Sequence, residues 1–357
     1  MRFRFRRLRA GTRSAENESQ NHQFTGGFDL SLQIICIIMI SKDFAYAGGV
    51  SMLFTDPSGT KKNFAKDPAV VKWLDKYYLY YSVFLPDENG REVLGIGIAV
   101  SDDMENWVKT GNFPLTQPCE SNGIGAPAAI VLDGAVHLFY QTYGNWTKDA
   151  ICHAVSSDGI HFEKDGTNPI FKPSETWCSG RAIDADVCVF GDKLYLYFAT
   201  RDHEAEIQKV GVASAPLGSG FGRGAWTECV AQSVVAPEFR WEGKCVEAPA
   251  ALENGGKVWL FYGGSYNCTP QQIGVAVSDD GVFFKKLSKE PFLRCGNAGS
   301  WNASESGHPY IFRDDDGSVW LFYQGSPDGG ESWYISKTKV DFSKGYPALN
   351  ESSDGRN

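Results

Sequence analysis

No two cysteines stand as a C-x-x-C pair, which removes the commonest framework for a bound zinc. Nor is there an apolar run of about eighteen residues, the length a membrane-crossing helix needs. Basic charge is the minority, with 34 Lys and Arg against 43 Asp and Glu and a net charge of -9. That balance leaves no electrostatic footprint for nucleic acid and suits a soluble protein with a neutral ligand. The longest apolar stretch, Leu30 to Ile40, is broken by Ser31 and Gln33. It follows an arginine-rich start (Arg2, Arg4, Arg6, Arg7, Arg9, Arg13) and precedes Ala45-Tyr46-Ala47, an A-x-A cleavage pattern. Residues 1–50 therefore read as a tail carrying a signal peptide, with a secreted or periplasmic product expected. A plain disordered tail or a misassigned start is the alternative. Cys36 falls in this tail; the other eight cysteines are an even number, which permits disulfides after export without requiring them.

What the chain has in excess is aromatic side chains, 13% of its residues, and they recur. Tyr77-Tyr78-Leu79-Tyr80-Tyr81, Val136-His137-Leu138-Phe139-Tyr140, Leu194-Tyr195-Leu196-Tyr197-Phe198, Val258-Trp259-Leu260-Phe261-Tyr262 and Val319-Trp320-Leu321-Phe322-Tyr323 are five versions of one strand, about sixty residues apart. Each precedes another strand-like run, such as Ile273-Gly274-Val275-Ala276-Val277-Ser278. Three of the repeats continue through a polar turn to an aromatic strand, as in Ser156-Ser157-Asp158-Gly159-Ile160-His161-Phe162. Three or four antiparallel strands repeated radially predict an all-β fold, a five-bladed β-propeller over residues 51–350.

In such a fold the first strand of each blade lines the central channel. Counting back eleven or twelve residues from the aromatic strands reaches Asp67, Ala126, Asp184, Glu247 and His308, which should converge on one axis. Alternation along Asp184-Ala185-Asp186 sends both acids to one face, costly unless Arg181 or Arg201 pairs with them or a proton is retained. Glu247 is followed by Ala248-Pro249-Ala250-Ala251-Leu252, so its carboxyl should be poorly solvated and its pKa raised, as a general acid needs. Trp146, in the loop after the second aromatic strand, can stack on a sugar. His308 can ligate an ion or donate to a carboxylate, and a purely structural histidine is an equal reading. Asp314-Asp315-Asp316-Gly317 is first a hairpin turn, because it lacks the later bidentate Glu of a calcium loop.

Two carboxyl groups in contrasting environments are the machinery of glycoside hydrolysis. Asp67, beside Lys66, would stay ionised and activate a water, while Glu247 would protonate the leaving oxygen. Asp184 would orient Glu247 and keep its pKa high. The set Lys66-Asp67-Pro68-Ala69-Val70-Val71, Ala182-Ile183-Asp184-Ala185-Asp186-Val187 and Val246-Glu247-Ala248-Pro249-Ala250 resembles glycoside hydrolase family 43. The resemblance covers about residues 60 to 340. It implies Asp67 as general base, Asp184 as orienting acid and Glu247 as general acid. Substrate contacts are expected from Arg181, Arg201, Asp186 and Trp146. It further implies arabinofuranosides, β-xylosides or galactofuranosides as substrates, on an oligosaccharide or a polysaccharide side chain. A water fitted between base and acid would invert the anomeric configuration, and a deep single-sugar pocket with exo action is expected over an open endo groove. No cofactor is required; a structural calcium or other ion near His308 is the one metal the resemblance implies. Departures are Ala185 where many members have Pro and a second blade without family landmarks. Two rival readings stand beside it: a propeller phosphorylase, which needs a basic cluster around the pocket, and a silent sugar-binding propeller, which has no use for acids at both 67 and 247.

Overall fold

The computed structural model describes residues 53–349 apart from Lys62 and Glu175, so the signal-peptide reading and Cys36 lie outside the described residues. Those residues form five sheets of four antiparallel strands, each sheet built from consecutive strands. The innermost strands are Lys66–Trp73, Ile124–Leu132, Ile183–Phe190, Val246–Asn254 and Glu305–Arg313. Each packs on the innermost strands of the blades to either side, and the fifth meets the first. This is the five-bladed propeller that the repeat predicts. The outermost strands are short, and after the first blade each is a two-residue pairing such as Glu163–Lys164. Phe162 belongs to the bend before that strand rather than to an aromatic strand of its own.

Each blade is covered on both faces by its neighbours, so its middle strands read as apolar runs rather than as alternating ones. Tyr77 through Val83 are all buried. A buried tyrosine still needs a partner for its hydroxyl. Tyr80 donates to the Gly159 carbonyl at 2.8 Å and Tyr197 to that of Gly281 at 2.8 Å, in each case across to the following blade. Tyr81, Tyr140 and Tyr262 donate instead to buried acids, Asp56, Glu120 and Glu242, each at 2.7 Å. Lysines from the outer strands complete these clusters: Lys109 on Asp56 at 2.5 Å, Lys164 on Glu120 at 2.5 Å and Lys286 on Glu242 at 2.6 Å. One acid thereby ties the second strand of its blade to the fourth, three times over.

The ring is closed by the segment before the first blade. Phe54 exchanges two backbone hydrogen bonds with Ile335 at 2.8 Å, and Asn63 and Ala65 bond to Trp333 at 2.7 and 3.2 Å. Residues 54–65 thus bridge the third strand of blade five to blade one.

Candidate active site

Every innermost strand is irregular at its start. The ladder slips at the same point in all five blades, and the residue there has positive φ: Asp67 53°, Ala126 42°, Asp184 47°, Ala248 49° and His308 42°. A residue with a Cβ held in that region costs roughly 1–3 kcal/mol and persists only where its surroundings fix it. In four of the five, a side chain from an adjoining blade takes the strained residue's own N–H. Asp67 donates to Gln324 Oε1 at 3.0 Å, Ala126 to Ser82 Oγ at 2.8 Å, Asp184 to Gln141 Oε1 at 2.6 Å and His308 to Gln271 Oε1 at 3.0 Å. A bulge re-aims the side chain it carries, and here it aims Asp67, Asp184 and His308 into one cavity.

The register revises one expectation. Glu247 is not equivalent to Asp67, Asp184 and His308: Ala248 holds the left-handed position, and Glu247 matches Lys66, one residue earlier. The twelve-residue count suits His308 because the first hairpin of blade five holds one more residue; in blade four it overshoots by one. Glu247 nevertheless lines the same cavity, of about 450 Å³, together with Lys66, Asp67, Asp184, Arg181, Arg201 and His308. Phe64, Phe84, Tyr143, Tyr266 and Trp333 supply aromatic walls.

The two outer acids of the mechanism are driven in opposite directions. Burial alone would raise Asp67, but the neighbouring His308 and Lys66 and a hydrogen bond with Ser82 outweigh it and hold the carboxyl below its ordinary value. His308 Nδ1 lies 3.0 Å from Asp67 Oδ1. Glu247 is raised, chiefly by burial and further by the charge of Glu305; hydrogen bonds with Gln271 and Cys245 and the field of Lys66 offset only part of this. Gln271 Nε2 donates to Glu247 Oε1 at 2.6 Å, and Gln208 Nε2 donates to Oε2. Asp184 is pushed up to about 7 by burial and then by the like charge of Glu247. Lys66 stays an ammonium: burial opposes its charge, but Asp67, Glu305, Glu247 and Asp184 together raise it. The cavity therefore drives its two carboxyls apart, Asp67 toward the ionised form and Glu247 toward the protonated one, the contrast a base and an acid require.

The remaining predicted residues divide. Arg181 and Arg201 line the cavity, whereas Trp146 stands outside the lining, 62% exposed, with the two guanidinium carbons 5.9 and 5.2 Å from its ring centre. Asp186 does not join the others. Past the bulge it falls in a different cavity, with Val70, Ala129, Ala251 and Tyr310, where its Oδ2 accepts the Ala251 N–H at 2.7 Å and burial lifts its pKa to about 7. Neither arginine neutralises it; retention of a proton does. For a metal, Asp67 and His308 are two donors where calcium takes about six to eight oxygens. Among the described residues no three His, Cys, Asp or Glu side chains gather in a metal-holding group. No step below passes through an ion.

Sequence reading missed the amides. Gln141 and Gln324 each follow a Phe-Tyr pair at the end of the second strand, the place Ser82 takes in blade one and Gly263 in blade four. With no side chain at Gly263, Gln271 enters from the next loop; a Cβ there would meet its carboxamide at 3.0 Å. The repeated Phe-Tyr-Gln was a usable signal. Gln208 and Glu305 carried none, since their roles arise only between blades.

Residues 58–340 match the family described as Glycosyl hydrolases family 43. A probable arabinan endo-1,5-alpha-L-arabinosidase A of Aspergillus flavus is 28% identical over 185 residues, 48% of this chain and 54% of that protein. An extracellular exo-alpha-(1->5)-L-arabinofuranosidase of Streptomyces avermitilis is 24% identical over 262 residues, 71% of this chain and 49% of that one. The chain spans about half the length of these curated relatives. Among solved structures, a thermostable family-43 glycoside hydrolase superposes with a TM-score of 0.67 at 20% identity, covering 85% of this chain and 98% of that chain.

Proposed function

Since the chain belongs to glycosyl hydrolases family 43, we propose that it is an inverting glycosidase that removes a terminal arabinofuranosyl, xylosyl or galactofuranosyl unit from an oligosaccharide or a polysaccharide side chain. The observation that carries this reading is the opposed shift of the two acids, Asp67 down and Glu247 up, within one cavity. Asp67 accepts a proton from water as the water oxygen bonds to the anomeric carbon. The bond from that carbon to the leaving oxygen breaks, and Glu247 gives this oxygen its proton. Asp184 orients the acid and, like Glu247, resists a second negative charge. The names of the two arabinose-releasing relatives favour an arabinofuranoside. The small aromatic-walled cavity supports exo action.

A screen of aryl arabinofuranosides, xylosides and galactofuranosides, with and without phosphate, tests the reading. Proton NMR of the first-formed sugar reports its configuration, and retention of the anomeric configuration would refute the assignment of Asp67 as a base acting through water. Export belongs to the same proposal, supported by the extracellular relative and by the apolar run ahead of Ala45-Tyr46-Ala47. N-terminal sequencing of protein from the medium or periplasm, expected to start near Gly48, checks it.

A further inference from the structure

Two guanidinium groups at the cavity mouth are not used by the chemistry above. Arg201 donates through Nε to Gln208 Oε1 at 3.1 Å and through Nη1 to the Ala205 carbonyl at 3.2 Å, both neutral acceptors. Its guanidinium carbon stands 5.2 Å from the Trp146 ring centre and 5.8 Å from that of Tyr266, between two aromatic faces. Arg181 approaches the same Trp146 ring at 5.9 Å. Its nearest carboxylate oxygen, on Asp149, is 3.7 Å from Nη2, beyond a good hydrogen bond, and its Nε is buried without any acceptor. A buried, charged N–H left without a partner is costly, so the remaining, more accessible edge of this guanidinium, facing the cavity, is where a further acceptor would be gained. Asp202, next along the chain from Arg201, is turned away: its carboxylate accepts the N–H groups of Glu206 and Ile207 in its own loop at 2.7 and 3.1 Å.

The position of this rim says which part of a substrate meets it. Arg201 holds Gln208, and Gln208 donates to Glu247, the group assigned to the leaving oxygen. Arg201 is thus two hydrogen bonds from the proton donor, and on that proximity a group touching it is assigned to the leaving side of the bond being cut. Arg181 is offset only in part by Asp149 and by the charge of Asp184, and Arg201 meets neutral acceptors, so an anionic group complements the pair and a sugar face complements Trp146. A planar carboxylate matches the guanidinium fork through two parallel hydrogen bonds.

We infer that Arg181, Arg201 and Trp146 bind the carboxylate and ring face of a uronic acid that forms the leaving residue of the substrate. The inference rests on the glycosidase reading and narrows it to glycans in which the released sugar is attached to an acidic unit. It also departs from the neutral ligand that the net charge of -9 suggested, because whole-chain charge averages over the surface whereas this rim is local.

The test compares, for each glycone that the enzyme cleaves as an aryl glycoside, a disaccharide in which that glycone is linked to galacturonic acid with the methyl ester of the same disaccharide. Ester and acid differ in the charge at the rim and by one methyl group, and the arginine variants below separate the two effects. The expected result is a kcat/KM for the acid roughly tenfold or more above that for the ester, expressed mainly in KM and compressed by salt. Arg201→Gln and Arg181→Gln should each bring the ratio back toward one, with Arg201→Lys recovering only part of it. Because the ratio is taken within one variant, a general loss of activity from disturbing Gln208 cancels. Binding of the two disaccharides to Glu247→Gln protein, followed by calorimetry, gives the same ratio without turnover. Equal handling of acid and ester by the unaltered enzyme overturns the inference, as does a preference that survives both arginine substitutions. Turnover that needs inorganic phosphate and loses that need in the arginine variants also overturns it, assigning the cations to phosphate. Failure on every aryl glycoside counts instead against the glycosidase reading, and the calorimetric ratio still decides the present one.

Discussion

At the scale of single residues, acid–base work depends on unequal solvation of two carboxyls. Glu247→Gln removes the proton donor and Asp67→Asn the acceptor, and each should lower kcat by roughly 10²–10⁴-fold. Circular dichroism should stay unchanged; activity within tenfold of the parent in either variant would remove that residue from its role. The pH dependence of kcat/KM should be bell-shaped. Asp67 must be ionised, and its depressed pKa puts the acid limb below the ordinary carboxylate range. Glu247 must be protonated, and its raised pKa puts the alkaline limb above that range. Asp184→Asn removes a coupled like charge, so its alkaline limb should move to lower pH.

Asp186 supplies a test of stability rather than of rate. Its folded pKa of about 7 stands above the unfolded value near 3.8, so the folded state holds a proton that the unfolded state has released. Stability contributed by this group is complete below about 4, is lost as pH rises toward 7 and is constant beyond. Asp186→Asn keeps an oxygen for the Ala251 N–H and removes the titration. It should raise Tm relative to the parent at pH 8 and lose that advantage at acid pH. An equal shift at both pH values would contradict the assignment.

At the scale of elements, the outer strands are too short to hold by their own ladders, and buried ion pairs anchor them. Lys164 and Glu120 are 7% and 0% exposed, so Lys164→Met strands a buried carboxylate and should cost about 3–5 kcal/mol in denaturant unfolding. Lys76→Met removes a pair with Asp102 that is also short, 2.7 Å, but open to water, and should leave the unfolding midpoint where it was. Similar effects from the two substitutions would refute the anchoring role. The clamp was not anticipated from sequence, although two of the three clamps share one spacing, with the acid 20 residues before its tyrosine and 44 before its lysine (Glu120, Tyr140 and Lys164; Glu242, Tyr262 and Lys286); only the Asp56 clamp departs from it.

At the scale of the whole molecule, the ring holds only if its ends meet. A chain beginning at Lys66 loses four backbone hydrogen bonds to blade five, each worth roughly 1 kcal/mol. It also loses the Phe54–Tyr81 and Phe64–Phe84 ring contacts, both at 4.9 Å. Compared with a chain beginning at Leu53, it should melt several degrees lower and lose activity, since Phe64 is also a wall of the cavity. Coincident melting curves would show that residues 54–65 do not close the ring.

The repeat of aromatic strands determined the blades, because a strand covered on both faces writes its burial directly into consecutive apolar residues. The prolines after Asp67, Ala126, Ala248 and His308 likewise mark where the inner strands begin, although the residue before each takes a positive φ in place of the extended conformation that proline favours there. Proximity across blades is another matter. That Glu247 reaches the cavity from one position before the bulge, that Asp186 leaves it two positions after, and that Gln208 and Gln271 converge on one carboxyl were decided only by packing. Each depends on bulge geometry and on the meeting of segments tens of residues apart, and no periodicity along a single strand encodes either.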